Sequence, residues 1–247
     1  HEDILVARDS GGQIVTGKVD VFASPPSPEI GQQVFGFHPP AFLDGTYGTS
    51  DPGYNAIEQA DLPGGYLALP SGTELKFNIA ADAIGGATAN FWYWDGADDD
   101  SDGDYYDDVE WTPVPTGYTF EFSKSGRLIQ AFADGSDAEV SGFAIDITDG
   151  NGYLHKHLDM FLDDGDGDAA TRVQDGFYMV GIDLYMDDPN VLPSETLYFV
   201  PGVGAHTPAQ HRDGAVAWVH DNLVVPEPAS LALLGLGGLA ILRRRRR

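Results

Sequence analysis

Apolar and polar residues alternate in short runs along most of this chain, and turn-forming residues separate the runs. The alternation is clear in Glu74 to Ile79, Tyr118 to Ser123 and Ser141 to Ile147, and it is clearest in Phe177 to Met186. A period of two is typical of strands with one buried face. In the last run, one strand face would carry Tyr178, Val180, Ile182, Leu184 and Met186. Short strands bounded by Gly, Pro, Asp and Asn predict a mainly β fold, an antiparallel β-sandwich with long acidic loops.

Three further segments complete the predicted sandwich. The residues from Gln13 to Phe22 suggest either a hairpin or a strand bulged around Gly17. Thr196 to Val200 is expected to be the last strand. The segment from Pro25 to Gly65 is rich in Pro, Gly and Asp, so we expect long ordered loops there.

One helix is predicted near the end of the sandwich, over residues 208–223. Thr207 can serve as its N-cap, Pro208 suits the first helical position, and Gln210 stands where a capping-box partner belongs. Apolar residues then recur at helical spacing at Val216, Val219 and Leu223. We therefore expect one β-sandwich domain over residues 1–224 that ends in this helix.

A tail follows over residues 225–247. Pro226, Glu227 and Pro228 precede fourteen uncharged residues, 229–242, and a run of five arginines that begins at Arg243. A helix of that apolar length reaches about 21 Å, short of the roughly 30 Å hydrocarbon core, and the arginines would remain on the cytoplasmic side. The alternative is an ordinary tail anchor. The short span favours a short apolar sorting helix that contacts the membrane transiently and is then removed.

The order of these features resembles the PEP-CTERM sorting signal, in which a Pro-Glu-Pro triplet, an apolar span and an arginine cluster close the chain. The resemblance implies an exosortase-type membrane processing enzyme as a partner. It also implies an exported protein at the cell surface, in the outer envelope or in the extracellular matrix, with extracellular polysaccharide as a further candidate partner. The chain begins at His1 without a basic, apolar leader, which suggests a mature chain without its signal peptide; the alternative is an arbitrary boundary.

The charge balance narrows the classes of partner. The chain has 39 acidic residues, 13 basic residues and a formal charge of −26. Such a surface repels phosphate backbones, so nucleic acid is not expected as a partner, and it attracts cations. Cysteine is absent, which excludes disulfides, thiolate metal sites and thiol nucleophiles.

A histidine pair is the strongest sign of metal chemistry in the body of the chain. On a strand, His155, His157 and Asp159 would share one face, while the core would receive Leu158, Met160 and Leu162. Two imidazoles and a carboxylate suit Zn²⁺ or Cu²⁺, although a bare His-x-His also arises by chance. If His1 is the terminus, its imidazole and α-amine can chelate together, with Asp3 nearby; the alternative is a frayed, solvated terminus.

The body also resembles the PEP-CTERM proteins that some bacteria place under their zinc-uptake repressor. The shared features are short stretches distributed over nearly the whole chain: His1 with Asp3, 12–17, 34–36, 51–55, 94–96, 155–158, 175–178 and 217–223. The resemblance implies a metal site formed by His1, Asp3, His155 and His157. The acidic runs at 95–108 and 163–168 are longer than in that family. His38 could complete the site, but an exposed loop histidine is the favoured interpretation.

Two acidic loops partly follow the spacing of calcium-binding loops. In the first, Asp98, Asp100 and Asp102 precede Gly103, but Val109 stands at the twelfth position and cannot ligate. The second loop has Ala169 at its sixth position and draws its carboxylates from Asp164, Asp166, Asp168 and Asp175. Both loops are open to two interpretations, Ca²⁺ sites between strands or solvated acidic surface.

These features leave three functional hypotheses. The first is an exported protein that binds zinc through its histidine cluster and scavenges or holds the metal. The second is a Ca²⁺-binding structural component of the extracellular polysaccharide matrix. The third is a copper oxidase whose Cu²⁺ is held by His1 with His155 or His157. The chain has no Gly-x-Ser-x-Gly, phosphate-loop or His-Glu-x-x-His motif, so an enzyme is not the favoured prediction.

Overall fold

The fold is known from a computed structural model, which describes residues 2–20, 22–23, 25–42, 44–97, 103–168, 173–204 and 208–224. The predicted positions that lie outside these residues are His1, Asp98, Asp100, Asp102, Thr207 and the whole tail from Val225 to Arg247, with Pro226, Glu227, Pro228 and Arg243.

Strands are the main regular structure of the described chain, and the prediction of a mainly β fold with a helix near the end of the body is confirmed. In chain order the strands are β1 (Glu2–Asp9), β2 (Ile14–Asp20), β3 (Ser27–Ile30), β4 (Val34–Phe37), β5 (Tyr47–Thr49), β6 (Tyr54–Ala56), β7 (Tyr66–Leu67), β8 (Glu74–Ile79), β9 (Asp82–Ile84), β10 (Ala87–Ala89), β11 (Trp92–Trp94), β12 (Thr112–Pro113), β13 (Thr119–Lys124), β14 (Ile129–Ala133), β15 (Val140–Ile147), β16 (Leu154–Lys156), β17 (Asp159–Asp163), β18 (Gly176–Met186) and β19 (Leu197–Val203). A 3₁₀ turn covers Gln59–Asp61, helix α1 covers Ala209–Val219, and a π-helical turn, His220–Val224, continues it.

Within the described residues the strands form three larger sheets and the small β9–β10 hairpin. Sheet 1 has the order β16-β6-β1-β2-β3, with β7 also paired to β1. Sheet 2 has the order β12-β11-β18-β19-β4, with β8 paired to β18 and β15 to β8. Sheet 3 has the order β14-β13-β17-β5.

The pairing is not wholly antiparallel, which corrects the sequence-based expectation. β1 runs parallel to β6, with Ile4 opposite Tyr54, and β4 runs parallel to β19, with Phe35 opposite Phe199. Both parallel pairs join segments that are far apart in the sequence. Alternation within a single strand cannot reveal such a partner.

The main core lies where the three sheets face one another. Sheet 1 contributes Ile4, sheet 2 contributes Phe77 and Val180, and sheet 3 contributes Phe120 and Phe122, all in one buried cluster. Burying each such side chain contributes roughly 1.5–3 kcal/mol to stability. The predicted face of β18 is confirmed, because this cluster also includes Tyr178, Val180, Ile182, Leu184 and Met186.

The other face of sheet 2 packs against α1. Phe177 and Met179, which alternate with the core-facing residues of β18, share a second buried cluster with Ala215 and Val219 of the helix. The helix begins one residue later than predicted: Pro208 is the N-cap and has extended backbone angles. Among the described residues, no helix is both long and apolar enough to cross a membrane.

Two other predictions are wrong. Residues 25–65 hold several short strands, β3 to β6, and are not only loops. The segment around Gly17 is neither a hairpin nor a bulge, since β2 pairs with β1 in unbroken register. The glycine is needed because β3 passes close by: an added Cβ would lie 2.0 Å from the carbonyl oxygen of Glu29.

Candidate metal centre

The candidate site lies on the outer face of sheet 1, opposite the main core. Ile4, Tyr54 and Leu154 point into the core from β1, β6 and β16. Because side chains alternate along a strand, Asp3 and His155 point to the opposite face. The parallel pairing of β1 with β6 and the antiparallel pairing of β6 with β16 bring these two residues together.

Asp3, His155 and His157 form a compact group of possible metal ligands. One ligand atom from each residue lies within 4.8 Å of the other two. His155 Nε2 is 3.0 Å from Asp3 Oδ2 and 3.1 Å from His157 Nε2. The ligand atoms of tetrahedral zinc are roughly 3.3 Å apart, given zinc–ligand distances of about 2.0–2.1 Å. The two distances from His155 are therefore close to those between ligands of a single small cation.

The surroundings of His157 orient its ring toward the group. Its Nδ1 lies 2.8 Å from the carbonyl oxygen of Ser50 and 3.2 Å from Asp51 Oδ1. Both partners are acceptors, so Nδ1 carries the hydrogen and Nε2 presents its lone pair to the site. Metal-binding histidines commonly donate their second N–H to a carbonyl or carboxylate in this way.

Asp3 is held from both sides. Its side chain is fully buried, and the backbone N–H of Gly53 donates to its Oδ1 over 3.2 Å. The other oxygen faces His155. A cation bound at this oxygen would balance the buried charge of Asp3.

The remaining predicted histidine and carboxylate of the site lie elsewhere. His38 is exposed, and its Nδ1 lies 3.0 Å from the carbonyl oxygen of Gly202. Asp159 is not part of the group because 155–159 is not one strand: β16 ends at Lys156 and β17 begins at Asp159. The change of strand still leaves the core positions as predicted, since Leu158, Met160 and Leu162 are buried.

The described part of the second acidic loop bonds to its own backbone. Asp164 Oδ1 accepts from the N–H of Asp166 at 3.3 Å, and Asp166 Oδ1 accepts from the N–H of Asp168 at 2.7 Å. Burial and the neighbouring carboxylates raise the pKa of Asp164, although its bond from the Asp166 N–H opposes this. The carbonyl oxygen of Asp175 accepts from the Tyr93 hydroxyl at 2.8 Å. Among the described residues, these aspartates do not form a group of three close ligands.

Sequence reasoning missed two features that shape the site, the Ser50 carbonyl and Gly53, and one residue that lies beside it, Asn55. Gly53 approaches His157 so closely that an added Cβ would lie 2.7 Å from its ring. Asn55 stands directly opposite His155 across the β6–β16 pair. For Gly53, a glycine beside a short strand-like run was the available signal, because a close backbone approach is a usual reason for such a glycine.

Comparison with known proteins identifies the tail and not the body. Residues 224–247 match the family described as the PEP-CTERM protein-sorting motif. No curated protein and no solved structure matches the chain significantly. The motif indicates export to the cell envelope or surface and processing by an exosortase, a membrane enzyme. No homologue supports the resemblance of the body to the zinc-regulated family.

Proposed function

We propose that this exported protein binds zinc outside the cytoplasm through Asp3, His155 and His157, and scavenges or holds the metal there. The observation that supports this most directly is that His155 Nε2 lies 3.0 Å from a buried carboxylate oxygen of Asp3 and 3.1 Å from His157 Nε2, with the ligand atoms of all three residues within 4.8 Å of one another. Two imidazoles and a carboxylate are a common ligand set for zinc, and three protein ligands leave one position open for exchange.

The exposure of the site agrees with reversible binding. The side chains of His155 and His157 are 35% and 32% exposed, whereas Asp3 is buried. A metal would therefore be reached from solvent on the histidine side and held from within by the carboxylate. The strongly acidic surface would concentrate cations around this entrance.

Calorimetric titration of the metal-stripped full chain with Zn²⁺ tests the proposal. We expect about one equivalent to bind with submicromolar Kd, and a His155→Ala/His157→Ala variant to lose this binding. A His38→Ala/His211→Ala variant is the matched control, since it removes two histidines whose Nδ1 atoms face the Gly202 and Gly96 carbonyls. Equal zinc binding by all three proteins would refute the proposal. Parallel titrations with Cu²⁺ and Ca²⁺ test the other two cations.

A further inference from the structure

A cavity opens directly beside the candidate metal centre. It has a volume of about 310 Å³, and both His155 and His157 line it. Most of the remaining wall is apolar and comes from Val19, Phe22, Pro26, Ile57 and Tyr153. A concave, mainly apolar space with a few convergent polar groups is the usual form of a small-molecule site.

The floor and the rim of this cavity differ in exposure. Val19 and Ile57 are buried in a small apolar cluster on the outer face of sheet 1. Phe22 and Tyr153 stand at the rim and are 79% and 39% exposed. Exposed rings beside a buried apolar floor can cover the body of a bound molecule and gain burial themselves.

Asn55 contributes an unpaired polar atom to the wall of this cavity. The residue lines the same cavity and is only 3% exposed, and its Oδ1 is buried without a hydrogen-bond partner among the described residues. Leaving a buried acceptor unpaired is costly, so native structures rarely do so without a reason. Asn55 stands opposite His155 in the strand register, so the two side chains lie on the same face of sheet 1.

We infer that the open coordination position takes a small organic molecule, and that the cavity binds the body of this molecule. This inference rests on the proposed zinc site. The ligand would carry an anionic, oxygen-donating head group with an adjacent N–H or O–H, joined to an aromatic or branched apolar body. The head group would complete the coordination of the metal, and its N–H or O–H would donate to Asn55 Oδ1. The zinc centre would thus bind and release its metal as a complex with such a ligand.

Hydroxamic acids test each part of this inference separately. Benzohydroxamate has the head group, the N–H and an aromatic body; N-methylbenzohydroxamate lacks the N–H, and acetohydroxamate lacks the aromatic body. The full chain would be loaded with Co²⁺, whose visible spectrum reports on its ligands, and titrated with each probe. For the wild type we expect benzohydroxamate to bind at least about tenfold more tightly than acetohydroxamate. We also expect benzohydroxamate to bind about 2–10-fold more tightly than N-methylbenzohydroxamate, because its N–H contributes one hydrogen bond.

Two variants assign these differences to residues. Asn55→Leu removes the unpaired oxygen beside an apolar cluster, and it should abolish the preference for the N–H probe while Co²⁺ still binds. Tyr153→Ser alters an exposed rim residue, so it should fold normally and reduce the preference for the aromatic probe. If Asn55→Leu does not fold, Tyr153→Ser and the three probes on the wild type still decide the question.

The outcomes separate this inference from the proposed function. If Co²⁺ produces a visible spectrum and benzohydroxamate does not change it, the inference is overturned but the proposed metal site still stands. Equal affinities of the three probes for the wild type would also overturn it. If Co²⁺ and Zn²⁺ do not bind at all, the proposed function fails, and the inference fails with it.

Discussion

The imidazole of His157 packs directly against the α-carbon of Gly53. A Cβ added at Gly53 would lie 2.7 Å from both Cε1 and Nε2 of that ring, closer than side chains tolerate. Nε2 is also the atom that lies 3.1 Å from His155 Nε2. The absence of a side chain at Gly53 therefore fixes where the His157 ring of the candidate site can lie.

Gly53→Ala should therefore weaken zinc binding more than it weakens the fold. The added methyl group would displace the His157 ring, a movable side chain, and we expect zinc affinity to fall at least about tenfold because the ring can no longer hold its ligand position. The free energy of unfolding of the metal-free protein should fall by less than about 1 kcal/mol. Calorimetry and urea denaturation would measure the two effects.

Gly64→Ala is the matched control for this substitution. An added Cβ at Gly64 meets no atom within 4 Å, so zinc affinity should remain at the wild-type value. Unchanged zinc affinity in Gly53→Ala would mean that His157 does not ligate from its present position.

Replacing Asp3 by asparagine tests the buried carboxylate. The amide oxygen of an Asn side chain can still accept from the Gly53 N–H, but the negative charge that faces His155 is lost. Mutating a hydrogen-bond partner of a metal ligand typically lowers metal affinity about 10–100-fold. Because Asp3 is itself a proposed ligand, we expect Asp3→Asn to lower zinc affinity by more than this. Asp51→Asn, which changes such a partner of His157, should have the smaller effect. The reverse order in calorimetric titrations would contradict the assignment of Asp3 as a ligand.

Zinc should raise the thermal stability of the wild type. A ligand that binds only the folded state at 100 times its Kd contributes about 2.7 kcal/mol, which corresponds to roughly 5–10 °C in Tm for a chain of this size. The shift should disappear with EDTA and in the His155→Ala/His157→Ala variant. It should also shrink in acid, because an imidazole that has taken up a proton cannot ligate. A shift that persists in the double variant would place the zinc elsewhere.

The sequence was informative about strands and poor at placing them beside one another. Alternation located β8, β13, β15 and β18 and the core-facing side of β18, because those strands are among the longer ones of the fold. It missed β6, a three-residue strand whose position depends on parallel pairing with β1. That pairing is non-local, and nothing in the local pattern encodes it.

The candidate site could also be predicted only in part from the sequence. His155 and His157 were singled out by their spacing, and Asp3 by its place beside His1 and by a resemblance that no homologue supports. Asp159 was assigned wrongly because the chain changes strand between Lys156 and Asp159. Asn55 could not have been found without the fold, since its role depends on its neighbour across the sheet. The zinc and polysaccharide assignments stay predictions.

The sorting motif predicts that the tail is removed in the producing cell. Because the motif over residues 224–247 indicates exosortase processing, protein recovered from the cell surface should have a mass that lacks the tail. Alanine at Pro226, Glu227 and Pro228 should leave the tail attached and retain the chain in the membrane fraction. Ser230→Ala, which leaves the triplet intact, should be processed normally. Intact-mass spectrometry of both variants measures this, and a tail present on wild-type surface protein would contradict it.

Glu121 and Arg127 form an ion pair that makes stability depend on pH. Glu121 is 2% exposed in the centre of β13, and its carboxylate accepts from Arg127 Nε at 3.0 Å and from Gln130 Nε2 at 3.0 Å. Burial alone would raise the pKa of Glu121, but the hydrogen bonds from Arg127, Gln130 and Ser123 outweigh it and lower that pKa below its usual value. A lowered folded-state pKa contributes stability that is present above the unfolded-state pKa and is lost as the pH falls through the folded-state pKa.

Arg127→Met should therefore destabilise the protein at neutral pH and do so less in acid. Methionine keeps an apolar stem over the Phe161 ring, which Arg127 now covers at 4.5 Å, but it leaves the buried carboxylate with fewer donors. Because Arg127 is itself partly exposed, we expect a loss of about 1–2 kcal/mol at pH 7. The loss should shrink as the pH falls through the lowered pKa of Glu121, because the protonated carboxyl no longer needs the charge of Arg127. Urea denaturation at pH 7 and at a pH below that pKa measures it. Lys18→Met, which breaks the exposed pair with Glu29, should change stability by less than about 0.5 kcal/mol at either pH. An equal loss for Arg127→Met at both pH values would show that its packing on Phe161, and not the ion pair, stabilises the fold.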